Sequence, residues 1–415
     1  MVYTLYQERE RKVSSFLLVS LPLMTPYFCP FTSVPLPLVV MLLAGICFFL
    51  KGRRNYQKAV LPKSFKAFII YACLIPVFGI ALYGDIGSFV VSYKGLIIFL
   101  CFLLFAIPYC SISYVSRYLS WIATIAIIVY VLQEIMYVFV GSRFSALIPF
   151  LDVSYEYMDM AQMRELQANL DRSSSFFLEP SHFSQYISAY LALLLGENAN
   201  RGKIFDKKAI IVSVVLLLTK SGTALLLLMT LWLVFFLSIN IKRHIKYLIL
   251  LPGVAVMALI AYSKVISSDY GQEMMSRTVE LSSESRDSSS GQIRVVRGFL
   301  VYSEIPIVQK VFGVGNGFAT NVIDNSSARY LFVDDERYLN NIQTLLIGYG
   351  LVGLFLFLLF LFRISSCSND LIPRFFCVTF FILSFMECFW LESKMLMLLA
   401  IPLIIYRNNL NQIER

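Results

Sequence analysis

SFVVSYKGLIIFLCFLLFAIPY runs from Ser88 to Tyr109 with a single charge, Lys94. Hydrocarbon offers no partner for backbone N–H and C=O groups, so a run of about 20 apolar residues crosses a bilayer as a helix. Outward from it, similar runs occupy Ser14–Cys29, Val34–Leu50, Phe65–Leu82, Tyr118–Val140, Phe176–Leu195, Ala209–Thr219, Thr223–Ile239, Tyr247–Ser263, Ile342–Phe362, Phe375–Leu391 and Met395–Tyr406. Ala209–Thr219 is short for a crossing and either recruits Ile204 and Phe205 or is partly re-entrant. Composition agrees: 58% of the 415 residues are hydrophobic and 15% charged, where a soluble protein has about a quarter charged. The chain reads as an all-α polytopic membrane protein of about 12 transmembrane helices, one integrated domain over 1–415.

Lysine and arginine in short loops mark the cytoplasmic side. Lys51, Arg53, Arg54, Lys58, Lys63 and Lys66 form one basic loop, Arg201, Lys203, Lys207 and Lys208 a second, and Lys242, Arg243 and Lys246 a third. These alternate so that both termini are cytoplasmic, and the polar stretch Met1–Lys12 leads into a retained first helix rather than a cleaved leader. Two long segments, Gly141–Ser175 and Lys264–Asn341, then face outward. Their basic residues are Arg143, Arg164, Arg172, Arg277, Arg286, Arg294, Arg297, Arg329 and Arg337 against only Lys264 and Lys310. Guanidinium groups pair bidentately with phosphate and carboxylate, so this bias suits an anionic ligand, although acidic neighbours make plain solvation an equal account of any one arginine.

The stretch richest in chemistry is Arg172-Ser173-Ser174-Ser175-Phe176-Phe177-Leu178-Glu179-Pro180-Ser181-His182-Phe183-Ser184, at the outer mouth of the sixth run. Pro180 suits the first turn of a helix, which places Glu179 at its cap and Ser181, His182 and Gln185 on the turns that follow. Burial at such a boundary disfavours the charged form of carboxylate and imidazole alike, so either Glu179 or His182 could act as a base. The blander account is a polar helix start. Against it, His182 is one of two histidines, and the other, His244, lies in a cytoplasmic basic loop.

Within or beside the runs lie Lys94, Glu134, Glu387, Glu392 and Lys394. Glu134, Glu392 and Lys394 stand near run ends and could snorkel, which leaves Lys94 and Glu387 as candidates to line an internal cavity. In the second outer segment, Ser282–Gly291 is polar, and Gln292–Ile305 shows helical spacing that sets Arg294 and Arg297 on one face to grip a phosphate. Next, Phe312-Gly313-Val314-Gly315-Asn316-Gly317-Phe318 allows either a sharp structural turn or close approach to a ligand by Gly313, Gly315 and Gly317.

Several chemistries are excluded. The sequence holds no Walker loop, H-E-x-x-H, G-x-S-x-G or clustered metal ligands, so nucleotide-driven and zinc chemistry are not expected, and no cofactor is implied. The eight cysteines form no CxxC pair and read as small apolar residues. The net charge of +9 belongs to the cytoplasmic loops and calls for no nucleic acid, though it favours anionic lipid.

In order and spacing, the chain resembles the Wzy-type O-antigen and capsular polysaccharide polymerases and their relatives, the O-antigen ligases. The resemblance rests on R-x6-E-P-S from Arg172 to Ser181, Thr219-Lys220-Ser221-Gly222-Thr223 between two runs, Arg294 followed by Val311 to Gly317, and Leu345-Leu346-Ile347-Gly348-Tyr349-Gly350-Leu351-Val352-Gly353. Ligases typically carry a histidine where this chain has Leu339, Asn340 and Asn341, which favours a polymerase. The resemblance implies a glycosyltransferase in a bacterial cytoplasmic membrane, active on its outer face. It would join undecaprenyl-pyrophosphate-linked oligosaccharides, with a chain-length regulator and a flippase as possible partners. It further implies Arg172, Arg294 and Arg297 on the pyrophosphates, with Glu179 or His182 as base or acceptor-positioning group. Outer-segment aromatics, including Tyr155, Tyr157, Phe318, Tyr330 and Tyr338, could stack on sugars. The competing expectations are an O-antigen ligase, a lipid-linked oligosaccharide flippase with Lys94, Glu134 and Glu387 along its path, and a structural subunit without catalysis.

Overall fold

The structure, a computed structural model, describes residues 2–29, 32, 34–52, 59–148, 151–153, 162, 165, 172–204, 206–239, 296–332, 338–366 and 370–413. The expected run Tyr247–Ser263, the polar stretch Ser282–Gly291, Arg294, Tyr155 and Tyr157 lie outside these residues. Among the described residues the regular elements are helices, joined by isolated bridges Tyr27–Val153 and Phe28–Pro35.

Eleven helices fall on the apolar runs: α1 Val2–Ser20, α2 Leu36–Gly52, α3 Lys63–Tyr83, α4 Ile86–Phe105, α5 Ile112–Val140, α6 Pro180–Arg201, α7 Lys207–Leu218, α8 Gly222–Ser238, α12 Asn341–Ser366, α13 Ile372–Met386 and α14 Ser393–Ile413. Between α8 and α12 the described residues hold three short ones, α9 Arg297–Glu304, α10 Ile307–Phe312 and α11 Ala319–Asp324. Among the described residues, four stretches are long and apolar enough to cross a membrane: Lys63–Tyr83, Ile86–Tyr109, Ile112–Val140 and Asn341–Ser366. Leu36–Lys51, Gly222–Ser238 and Ile372–Met386 are apolar but shorter.

Several boundaries differ from the sequence expectation, each for a local reason. The first helix covers the polar N-terminus and stops at Ser20, because Pro22 and Pro26 convert the rest of Ser14–Cys29 into a 3-10 turn and irregular chain. The sixth starts at Pro180 instead of Phe176. The run Phe375–Leu391 leaves helical geometry at Met386, so Glu387 is extended (φ −149°) at a helix end and not inside a span. The helix expected over Gln292–Ile305 begins, among the described residues, at Arg297.

α6 is the axis of the bundle. It packs against α5, α7, α8 and α13, and every residue from Phe183 to Gly196 is buried. A helix apolar or small on all sides belongs inside: a Cβ added at Gly196 would lie 2.8 Å from Ile372 Cα. The surrounding helices turn apolar side chains outward, among them Ile70, Leu74 and Val77 on α3, Ile125 and Ile128 on α5, and Met229 and Leu233 on α8. An outer surface of this kind suits lipid as the solvent.

Polar contacts gather at the two ends of the bundle. At one, Asn200 bonds Asp370 (2.7 Å) and Leu371, and the Arg407 guanidinium donates to the carbonyls of Ile107, Pro108 and Cys110. At the other, Thr25 meets Ser393 (3.1 Å), Asp85 meets Asn321, and Arg172 meets Lys220. The second end holds the candidate site.

Candidate active site

The approach to α6 is pinned to α5. Gln133 accepts from Ser175 N (2.8 Å) and donates to Phe144 O (3.0 Å), while Ser175 Oγ donates to Ala126 O (2.8 Å). Arg143, buried, donates from Nε to Ser173 Oγ (2.9 Å), pairs with Glu134 (3.3 Å) and lies over the Tyr137 ring at 3.7 Å. Glu134 therefore does not snorkel or line a path: it accepts from Arg143 and from Ser173 N (3.2 Å).

Held this way, Glu179 stands in extended backbone at the cap of α6, with Pro180 at the first helical position. Its carbonyl accepts from Phe183 N (3.2 Å), and its carboxylate accepts from the Ser181 hydroxyl (2.9 Å). His182, on the same turn, takes a different partner: its Nε2 lies 2.7 Å from Glu387 Oε1. Lys394 Nζ lies 3.1 Å from the same oxygen and 3.2 Å from Gln185 Oε1. Glu387, Lys394 and Gln185 are all buried. A carboxylate only accepts hydrogen bonds, so Nε2 is the nitrogen that donates to Glu387.

Asn340 and Asn341 fix the Glu387 loop from the start of α12. Asn341 N donates to Glu387 O (3.1 Å), Asn341 Oδ1 accepts from Phe389 N (2.8 Å), and Asn340 Nδ2 donates to Phe385 O (2.9 Å). Among the described residues, Glu387 Oε2 on the loop and Asn341 Nδ2 at the start of α12 are buried with no hydrogen-bond partner, an acceptor and a donor. Beside His182, a narrow cleft runs between Pro22, Phe177, Gln185, Phe389 and Lys394.

Backbone strain collects at the same end. The described non-glycine residues with left-handed φ are Ser175 (56°), Lys220 (50°) and Leu391 (60°). Such conformations cost about 1–3 kcal/mol each and persist where surrounding structure enforces them, commonly at functional sites. Ser175 lies before α6, Lys220 offers its carbonyl to Arg172 Nη1 (3.0 Å), and Leu391 lies between Glu387 and Lys394.

Of the residues expected from sequence, His182 and Arg172 are thus at one end of the bundle, Glu179 is beside them, and Arg294 lies outside the described residues. Arg297 is buried at the first position of α9. Gly313, Gly315 and Gly317 meet the protein's own backbone: added Cβ atoms would strike Gly348 and Gly350, Pro76, and Ser88 and Ser92, respectively. Lys94 is not internal but exposed on α4 among Val90, Val91 and Ile97.

The sequence model of the WcaD colanic acid polymerase family matches residues 15–405. The chain belongs to that family. Among curated proteins none matches it. Membership makes this membrane protein a polysaccharide polymerase, in line with its resemblance to the Wzy type. In this polymerase, what sequence reasoning missed is the partnership of His182 with Glu387 and Lys394. Glu387 carried a signal, as an ionisable residue in an apolar run; Lys394, taken for a snorkelling end residue, is buried in an ion pair instead.

Proposed function

We propose that the chain polymerises undecaprenyl-pyrophosphate-linked oligosaccharide repeat units into O-antigen or capsular polysaccharide at the outer face of the bacterial cytoplasmic membrane. The observation that carries this reading is the His182–Glu387–Lys394 network, its Glu387 and Lys394 buried, at the same end of the bundle as Arg172 in a chain of a polysaccharide polymerase family.

In the reaction, a hydroxyl of the acceptor repeat unit attacks the anomeric carbon of the donor glycan. The bond from that carbon to the pyrophosphate oxygen breaks, and undecaprenyl pyrophosphate leaves with the electron pair. His182 Nδ1 takes the hydroxyl proton as general base, and the resulting imidazolium is stabilised by Glu387 through Nε2. Lys394 holds Glu387 in place, and Glu179 with Ser181 positions the acceptor. Arg172 stabilises the departing pyrophosphate, with Arg294 and Arg297 supporting it from the second outer segment. Gly313, Gly315 and Gly317 act by fixing that segment to the bundle. Weighing against the flippase alternative, Lys94 is exposed on α4 and Glu134 pairs with Arg143.

The test is the length profile of surface glycan in cells lacking the gene, complemented with wild type, Arg172→Ala, His182→Ala or Glu387→Gln at matched membrane abundance. Single-repeat glycans in the variants against ladders in wild type support polymerisation. Complete loss of displayed repeats points to ligase or flippase, and unchanged ladders overturn the reading.

A further inference from the structure

The second outer segment does not stay outside the bundle. Asn321, on α11, bonds Asp85 at the junction of α3 and α4. Going backward along the chain, Phe318 stacks on Tyr83 and lies against Gly79, Gly315 lies against Pro76, and the Phe312 carbonyl accepts from the Tyr71 hydroxyl. Tyr71 is twelve residues below Tyr83 on α3, about 18 Å at 1.5 Å per residue. On the other side, Val314 N and Gly315 N donate to Gly348 O (3.1 and 2.7 Å), seven residues into α12. Gly317 N donates to Ser92 Oγ (2.9 Å) on α4.

The extended chain at that depth therefore has its polar backbone satisfied by three helices, the condition under which irregular backbone is tolerated at membrane depth. The lack of side chains at Gly313, Gly315 and Gly317 is what lets it approach the neighbouring backbones so closely. The limb leading into the turn, α10, packs on α12 and is short, with Ile307, Val308 and Phe312 exposed. Exposed Leu74 and Val77 on α3 and Leu351 on α12 stand at comparable distances from the same helix ends.

We propose that α10 and the Gly313–Gly317 turn form a re-entrant hairpin whose exposed α10 side chains contact the hydrocarbon of the surrounding bilayer. The occupant follows from depth and continuity: Ile307, Val308 and Phe312 extend an apolar surface of the membrane helices, while the polar residues of α10 are engaged by the protein, Gln309 Oε1 accepting from the Tyr83 hydroxyl (3.3 Å) and Lys310 Nζ donating to Ser303 O (2.6 Å). This inference rests on the chain being a membrane protein and not on its catalytic residues.

Single cysteines at Phe312, Val308 and Tyr330 test it, each in a full-length chain whose eight native cysteines are replaced. The protein is reconstituted in phosphatidylglycerol–phosphatidylethanolamine vesicles, and monodispersity is checked before reconstitution. Tyr330 is 75% exposed on the same outer segment and serves as the aqueous reference. A charged, membrane-impermeant maleimide is expected to label the cysteines at 312 and 308 at least tenfold more slowly than the one at 330. A fluorophore placed at 312 or 308 by an apolar maleimide is expected to be quenched by bromine-labelled acyl chains, and one at 330 not. Equal labelling rates, or no quenching at 312 and 308, overturn the proposal. The two α10 positions give independent readings should one replacement disturb the fold, and neither measurement requires polymerase activity.

Discussion

At the scale of single residues, the arrangement around His182 separates two kinds of substitution. His182→Ala removes the proposed base and should lower turnover by on the order of 10²–10⁴-fold, measured with purified protein and lipid-linked repeat units, with donor KM little changed. Glu387→Gln keeps a hydrogen-bonding side chain but removes its charge, so its turnover should fall between wild type and His182→Ala. Lys394→Met leaves the Glu387 carboxylate buried without its ammonium partner, which costs about 3–5 kcal/mol for such pairs. The double change Glu387→Leu with Lys394→Met removes both charges and should recover most of the melting temperature while remaining inactive. A double variant that polymerises at wild-type rate would sink the assignment of Glu387. His182 was legible in the sequence because a histidine at a membrane boundary has few bland explanations. Glu387 stood out as an ionisable residue in an apolar run, but its partnership with His182 did not, since Glu387 and Lys394 lie some two hundred residues later and reach α6 only in the folded bundle.

Between elements, the stretch from α9 to α11 is fastened by carboxylates whose acidity is altered by their bonds. Asp85 caps α4 by accepting from Gly87 N and Ser88 N. The Ser88 hydroxyl, then the Asn321 amide, hold its carboxyl below the ordinary range, and the Ser327 and Ser326 hydroxyls do the same for Glu304. A folded value below the unfolded one, about 4, means that the stabilisation is complete above that pH and is lost as pH falls through the folded value. Asp85→Asn should therefore melt lower than wild type at pH 7 and converge with it toward pH 3, as followed by thermal unfolding in detergent. The kink of α12 supplies a second prediction. Gly350 has φ 64° and its added Cβ would meet Val311 O, so Gly350→Ala should cost about 1–3 kcal/mol in the same assay. Helix identities were largely readable here, because long apolar runs with few charges leave the backbone little choice. Helix ends were less so: prolines at 22 and 180 and the break after Met386 moved them by several residues. The glycine repeat announced a turn, but only the tertiary contacts with Gly348, Pro76 and Ser92 say where it goes.

For the molecule as a whole, the basic loops predict sidedness. A reporter enzyme that matures only outside the cytoplasm should be inactive when fused after Ile413 and active when inserted after Tyr330; the reverse pattern would invert the reading of which end faces the acceptor. That end is assembled from parts distant in the chain, and its three described non-glycine residues with left-handed φ, Ser175, Lys220 and Leu391, come one from each of three such parts. A laboratory selection for heat resistance would be drawn to these positions early, because glycine there releases the strained backbone. Each such gain would slacken the grip on the start of α6, on Arg172 or on the loop between Glu387 and Lys394, so lineages hardened against heat should trade away catalytic speed step by step.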